Sequence, residues 1–120
     1  MRKTSDIIWQ DAQHQVLFEL LDQVKTPEAN SRVLYRLRDY SESHFSIEER
    51  YMIELDYPGR EQHIKAHNLF RLEVEQLLSK GEPDALFREI IATFLTRWLT
   101  SHVFGTDKKL EAFILQSGAK

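Results

Sequence analysis

The chain has 120 residues, 42% of them apolar and 29% charged, with a net charge of -3 and no cysteine. That length suits one domain with one core, and the interspersed charges supply neither a basic stripe for nucleic acid nor a polybasic patch for a membrane. The missing thiols exclude disulfides, thiolate metal sites and cysteine nucleophiles. In the amino-terminal segment the apolar run is Ile7, Ile8 and Trp9, too short for a signal sequence or a membrane span, so a cytoplasmic setting is expected.

Breaker clusters at 26–27, 56–59 and 79–83 divide the sequence into four segments of helical periodicity. In the first, His14, Leu17, Phe18, Leu21 and Val24 recur at steps of three and four, with Glu19, Asp22 and Gln23 off that stripe, which places His14 on the apolar face. The second is expected to enter through Pro27 with Thr26 as its N-cap. It carries Leu34, Leu37, Tyr40, His44, Ile47, Glu48, Tyr51, Met52 and Leu55 on one side. The third runs from about Gly59 to Ser79 with His63, His67, Phe70, Val74 and Leu78, and Gly81 suits its stop. The fourth opens at Pro83 and carries Leu86, Phe87, Ile90, Ile91, Phe94, Leu95, Trp98, Leu99 and His102; beyond Asp107, LEAFILQ continues it or forms a short terminal turn.

Connections this short make neighbouring helices antiparallel, so the expected fold is all-α, an up-down-up-down antiparallel four-helix bundle. Residues 1–120 are read as one domain, with a short amino-terminal arm over about 1–10 and the bundle over about 11–116. The rise per residue then sets heights: Glu48 and His67 stand roughly 15 Å and 14 Å from Pro58, and His63 and His102 roughly 27 Å and 32 Å from Gly81. The ligand-type side chains therefore fall in one layer.

Those side chains are all five histidines, His14, His44, His63, His67 and His102, together with Glu48 and Asp107. His44 with Glu48, and His63 with His67, stand four apart, ~40° in azimuth, so each pair can grip one object. His102 and Asp107 stand five apart, ~140° on a regular helix, so a π-type turn or a helix end is expected between them, which Gly105 makes easy. Burying these groups without metal would leave unpaired charge, and no lysine or arginine on the same stripes offsets it. One zinc closes with four ligands, whereas seven residues suit two metals. Imidazoles with carboxylates suit a first-row transition metal such as iron, and an imidazole-rich shell, unlike the carboxylate-rich Glu-x-x-His sites of ferritin-like proteins, favours reversible oxygen binding over oxygen activation.

The runs DAQH, HFSIEERYM, YPGREQHIKAH and WLTSHVFGTDK, spanning roughly residues 11–112, resemble the hemerythrins, specifically the bacterial ones. That resemblance implies a di-iron site in the bundle core. His63, His67 and His102 would hold one iron and His14 and His44 the other, bridged by Glu48, Asp107 and an oxo or hydroxo group. The second iron would keep an open position for molecular oxygen. It implies an oxygen carrier, storage or sensor protein and no enzyme; the alternatives left open are a di-iron enzyme acting on nitric oxide or peroxide, and an iron-handling protein. Phe45, Trp98 and Leu99 resemble the family's apolar oxygen pocket. Glu49 either hydrogen-bonds a ligand imidazole or lies on a solvated face shared with Arg50, the second reading being preferred. Asp11 and Gln13 are further candidates to support ligands, Asp11 equally as a helix cap. No nucleic-acid or membrane partner is expected, no fused signalling output is expected, and the oligomeric state is left open with a monomer favoured.

Overall fold

The structure, a computed structural model, describes residues 3–26, 31–82 and 84–118. It contains helices α1 (Ile8–Val24), α2 (Ser31–Glu54), α3 (Arg60–Leu78), α4 (Ala85–Ser101) and α5 (Asp107–Ser117), with a π-helical turn over His102–Thr106 joining the last two. No strand occurs among the described residues. α1 packs on α2 and α4, and α2 on α3, while the Phe70 and Trp98 rings, 4.3 Å apart, bring α3 against α4. The result is the antiparallel four-helix bundle, its fourth helix prolonged through the π turn into α5.

The helix ends show why the chain turns where it does. Asp84 caps α4 by accepting the Phe87 N–H at 2.8 Å, so α4 starts at Ala85 rather than at Pro83, which lies outside the described residues. The Thr26 hydroxyl donates to the Gln23 carbonyl at 2.8 Å and so closes the end of α1; the expected start of α2 at Pro27 lies outside the described residues. Two residues beyond the end of α2, Asp56 stands at φ 52°. There the Tyr57 N–H reaches the Met52 carbonyl at 2.8 Å and the Asp56 N–H the Ile53 carbonyl at 3.2 Å, which satisfies two carbonyls of the last turn. Gly81, at φ 78°, reverses the chain after α3 without a Cβ penalty.

The core has two parts with the polar layer between them. The larger apolar cluster gathers Leu17, Leu21, Leu37, Phe45, Phe70, Val74, Ile91, Leu95 and Leu99 from all four long helices. A smaller one, Ile7, Met52, Leu110 and Ile114, closes the opposite end. Each such side chain contributes ~1.5–3 kcal/mol on burial. The sequence stripe of α4 is only partly inside: Leu86 and Ile90 are 68% and 55% exposed, while Ile91, Leu95 and Leu99 are buried. A row of residues four apart winds by ~40° per step, so the row 86–90–94–98 begins in solvent and turns inward at Phe94 and Trp98, which pack against the larger cluster.

Candidate metal centre

All seven ligand-type residues converge in the layer between the two apolar clusters, each at most 3% exposed. Their donor atoms fall into two overlapping groups, within 4.8 Å of one another in each: Glu48, His63, His67, His102 and Asp107; and His14, His44, Glu48 and Asp107. Glu48 and Asp107 belong to both, so the two carboxylates lie between a set of three imidazoles and a set of two. Asp107 Oδ2 faces His14 Nε2 at 2.8 Å and His44 Nε2 at 3.1 Å. Its Oδ1 lies 3.0 Å from His63 Nε2 and 2.9 Å from His102 Nε2. Glu48 Oε1 stands 3.2 Å from His63 Nε2 and 3.1 Å from His67 Nε2.

The π turn is what lets one helix supply both His102 and Asp107. Its wider winding carries Asp107 round to the inner face, and both residues are buried. The Asp107 N–H bonds to the His102 carbonyl, five residues back, which is the π-helical register. Gly105 has open space around it, so the distortion there is a matter of winding and not of close approach.

Three of the rings are also held from behind, whereas His63 Nδ1 is buried without a hydrogen-bond partner. His14 Nδ1 lies 2.9 Å from the Thr4 hydroxyl, which itself donates to Asp11 Oδ1 at 2.8 Å, so the hydroxyl accepts from His14. His44 Nδ1 donates to Gln13 Oε1 at 2.7 Å and His67 Nδ1 to Glu49 Oε2 at 2.8 Å. With the proton on Nδ1, the Nε2 lone pair of these three rings is turned toward the centre. Arg71 fixes Glu49 in turn at 2.9 Å, so Glu49 does not lie on a solvated face with Arg50. Asp11 accepts the Thr4 N–H as well, at 2.7 Å, and that bond outweighs burial to lower its pKa to about 2; the residue flanking α1 at its start is Ile7, and no side chain caps it.

Sequence reading missed Thr4, Ser5 and Gln10. Gln10, fully buried, donates to Glu48 Oε2 at 3.0 Å and accepts the Ser5 hydroxyl at 2.7 Å. The signal available was its place four residues before His14, on the same face of α1. The arm is thereby drawn over the site, and α1 begins at Ile8, inside the stretch read as arm. The Asp6 N–H adds a bond to Glu111 Oε2 at 3.1 Å.

Burial pushes the metal-free carboxyls upward, but the surrounding imidazoles outweigh it and hold both Glu48 and Asp107 below the usual carboxylate range. Burial likewise pushes His102 down, yet the Asp107 charge prevails and raises it to about 9; His44 and His63 are raised by the same carboxylates. His67 is lowered, burial being the main cause.

Aromatic rings wall the three-imidazole side. Phe45 stacks on His67 at 3.9 Å and Trp98 on His102 at 4.5 Å. Leu99, 3% exposed, belongs to the larger apolar cluster one turn before His102.

The donor set fits a metal pair on the structure's own terms. Asp107 Oδ1 is buried and accepts no hydrogen bond, although two imidazole nitrogens stand within 3.0 Å of it. His67 and His102 bring their Nε2 atoms to 3.1 Å of each other. Lone pairs of nitrogen and oxygen aimed at common points are what first-row transition cations take up.

Fold and cluster together define a four-helix bundle with a buried imidazole and carboxylate cluster suited to binding metal. The family described as hemerythrin HHE cation binding domain matches residues 6–114, and the chain belongs to it. It is 28% identical over 104 residues to a bacteriohemerythrin of Stenotrophomonas maltophilia, covering 82% of this chain and 68% of that protein. To the myohemerythrin of Riftia pachyptila it is 28% identical over 99 residues, 82% of this chain and 78% of the other. A hemerythrin-like protein of Naegleria gruberi is 24% identical over 102 residues, 85% and 80% of the two chains.

Proposed function

We propose that the chain binds molecular oxygen reversibly at a pair of iron ions, as a carrier, store or sensor, and is not an enzyme. His63, His67 and His102 would hold one iron, His14 and His44 the other, with Glu48 and Asp107 between them. When bound, the pair supplies the electrons that oxygen takes up and returns. The chain's own part is to orient and to dry the site. Thr4, Gln13 and Glu49 fix the tautomers of three imidazoles, and Gln10 holds Glu48 in place. Phe45, Trp98 and Leu99 keep water from one side, which slows the proton delivery that would otherwise release reduced oxygen and leave ferric iron.

The observation that carries this reading is the donor set itself: five neutral-type ligands to two carboxylates, all buried. Few negative charges are available to compensate high-valent iron, and all seven side chains are closed off from the surface, each at most 3% exposed. The test is optical: the reduced, iron-loaded protein is exposed to oxygen and then to argon over repeated cycles. An absorption band that appears and disappears with the gas supports the proposal. Irreversible oxidation on first exposure, with catalytic consumption of nitric oxide or peroxide, would replace it with the enzyme reading.

A further inference from the structure

Away from the metal layer, the His67 ring is supported on two sides. Glu49 Oε2 accepts from its Nδ1 at 2.8 Å, and the Phe45 ring stacks on it at 3.9 Å and 14°. Arg71, one turn further along α3, touches both supports. It donates from Nη1 to Glu49 Oε2 at 2.9 Å and from Nη2 to Oε1 at 3.3 Å, and its guanidinium lies 5.3 Å over the Phe45 ring. The same group holds Glu42 through Nε at 2.7 Å and Nη2 at 3.0 Å, and Asn68 Oδ1 through Nη1 at 2.8 Å. A planar fork of donors is what makes two bidentate pairs possible at once. With Arg71 26% and Glu49 20% exposed, water screens this contact less than it does a pair lying free on the surface.

His67 is thereby set apart from the rings backed by neutral groups, His14 by the Thr4 hydroxyl and His44 by the Gln13 amide. A carboxylate that accepts from one ring nitrogen makes the other a stronger donor to a metal. A stronger donor, like any added negative charge, favours ferric over ferrous iron. Glu42 and Glu49 bring two negative charges to this corner and Arg71 one positive. The guanidinium binds Glu49 on the oxygen that also faces His67, so it draws charge away from that hydrogen bond.

We propose that Arg71 is a positioning residue that sets the reduction potential of the iron held by His67, by fixing Glu49 and withdrawing its charge from the ring. The inference rests on the reading that His67 holds iron, and not on reversible oxygen binding.

Spectroelectrochemical titration of the iron-loaded protein, with iron content measured for every variant, tests this. Arg71→Met keeps an unbranched stem over Phe45 but no charge. It should favour the ferric form about 10-fold, a potential lower by ~59 mV for one electron, at wild-type iron content. Arg71→Gln, neutral but still a donor, should move the same way by less. Arg71→Lys, which keeps the charge, should recover at least half of the shift. In a Glu49→Gln background, Arg71→Met should shift the potential less than half as far, because the group it acts through is neutral there. A shift below 2-fold in both neutral variants, or one toward the ferrous form, would overturn the proposal. So would equal shifts with and without Glu49, the mark of long-range charge alone, or a lysine variant no closer to wild type than methionine. A protein that holds iron but is oxidised irreversibly by oxygen would defeat the oxygen-binding reading and leave all of these potentials measurable.

Discussion

Replacing Gln10 with leucine removes a side chain that joins the amino-terminal arm to the metal layer. Gln10 is completely buried and donates to the Glu48 carboxylate at 3.0 Å, a charge-assisted bond worth ~1.5–3 kcal/mol. The Ser5 hydroxyl, 2% exposed, loses its acceptor at the same time, which costs ~1–3 kcal/mol when a buried donor is left unmade. The better burial of leucine offsets part of this, so the expected net loss is about 3 kcal/mol, a large share of the 5–15 kcal/mol typical of a domain. Urea unfolding of the metal-free chain, followed by circular dichroism, measures it. Ser5→Ala in the same background isolates the arm contact, because the Ile7 N–H that also bonds to Ser5 is affected equally in both backgrounds. Ser5→Ala should therefore cost about 1–2 kcal/mol less in the Gln10→Leu variant than in the wild type. A Gln10→Leu cost below about 1 kcal/mol, or strict additivity with Ser5→Ala, would show that the arm does not bear on the site through these bonds.

Metal loading should release protons at pH 7. His102 is raised to about 9 in the metal-free chain, so it carries a proton there, and a metal takes the neutral ring. Its pairing with Asp107 stabilises the metal-free fold fully below the unfolded value of 6.5 and loses that effect as pH rises through about 9; ferrous titrations in buffers of different ionisation enthalpy should show at least one proton leaving per chain. Glu49→Gln, which withdraws the anionic acceptor from His67, should weaken metal affinity about 10-fold or more, read by competition with a chelator; unchanged affinity would make Glu49 a mere partner of Arg71. Leu99→Ala should speed autoxidation of the iron-loaded protein at intact metal content, beside a core penalty of ~2–5 kcal/mol. An unchanged autoxidation rate would leave Leu99 as packing alone.

The bundle and the clustering of the seven histidine and carboxylate side chains are legible because a helix converts spacing into direction. His44 with Glu48 and His63 with His67 could only share a face, and the five-residue step to Asp107 could reach it only through a distortion, found as the π turn. What escaped has a different cause. Thr4 and Ser5 lie in an arm without periodicity, so nothing local says which face they cover. The role of Glu49 depends on Arg71, a neighbour 22 residues away across a helix pair. Leu86 and Ile90 extended an apolar row that, by its own slow winding, starts in solvent. For Thr4, Ser5 and Glu49 the deciding contact is tertiary, whereas the clustered positions follow from the geometry of single helices.

The central claim is that the seven buried residues hold two metals and not one. Anaerobic titration of the metal-free chain with ferrous iron, followed by metal analysis after removal of unbound iron, tests it most directly, with His14→Ala run in parallel. Because His14 and His44 form a group apart from His63, His67 and His102, the wild type should saturate at two irons per chain and His14→Ala should retain one tightly held. Saturation at one iron per chain, unchanged by His14→Ala, would contradict the account.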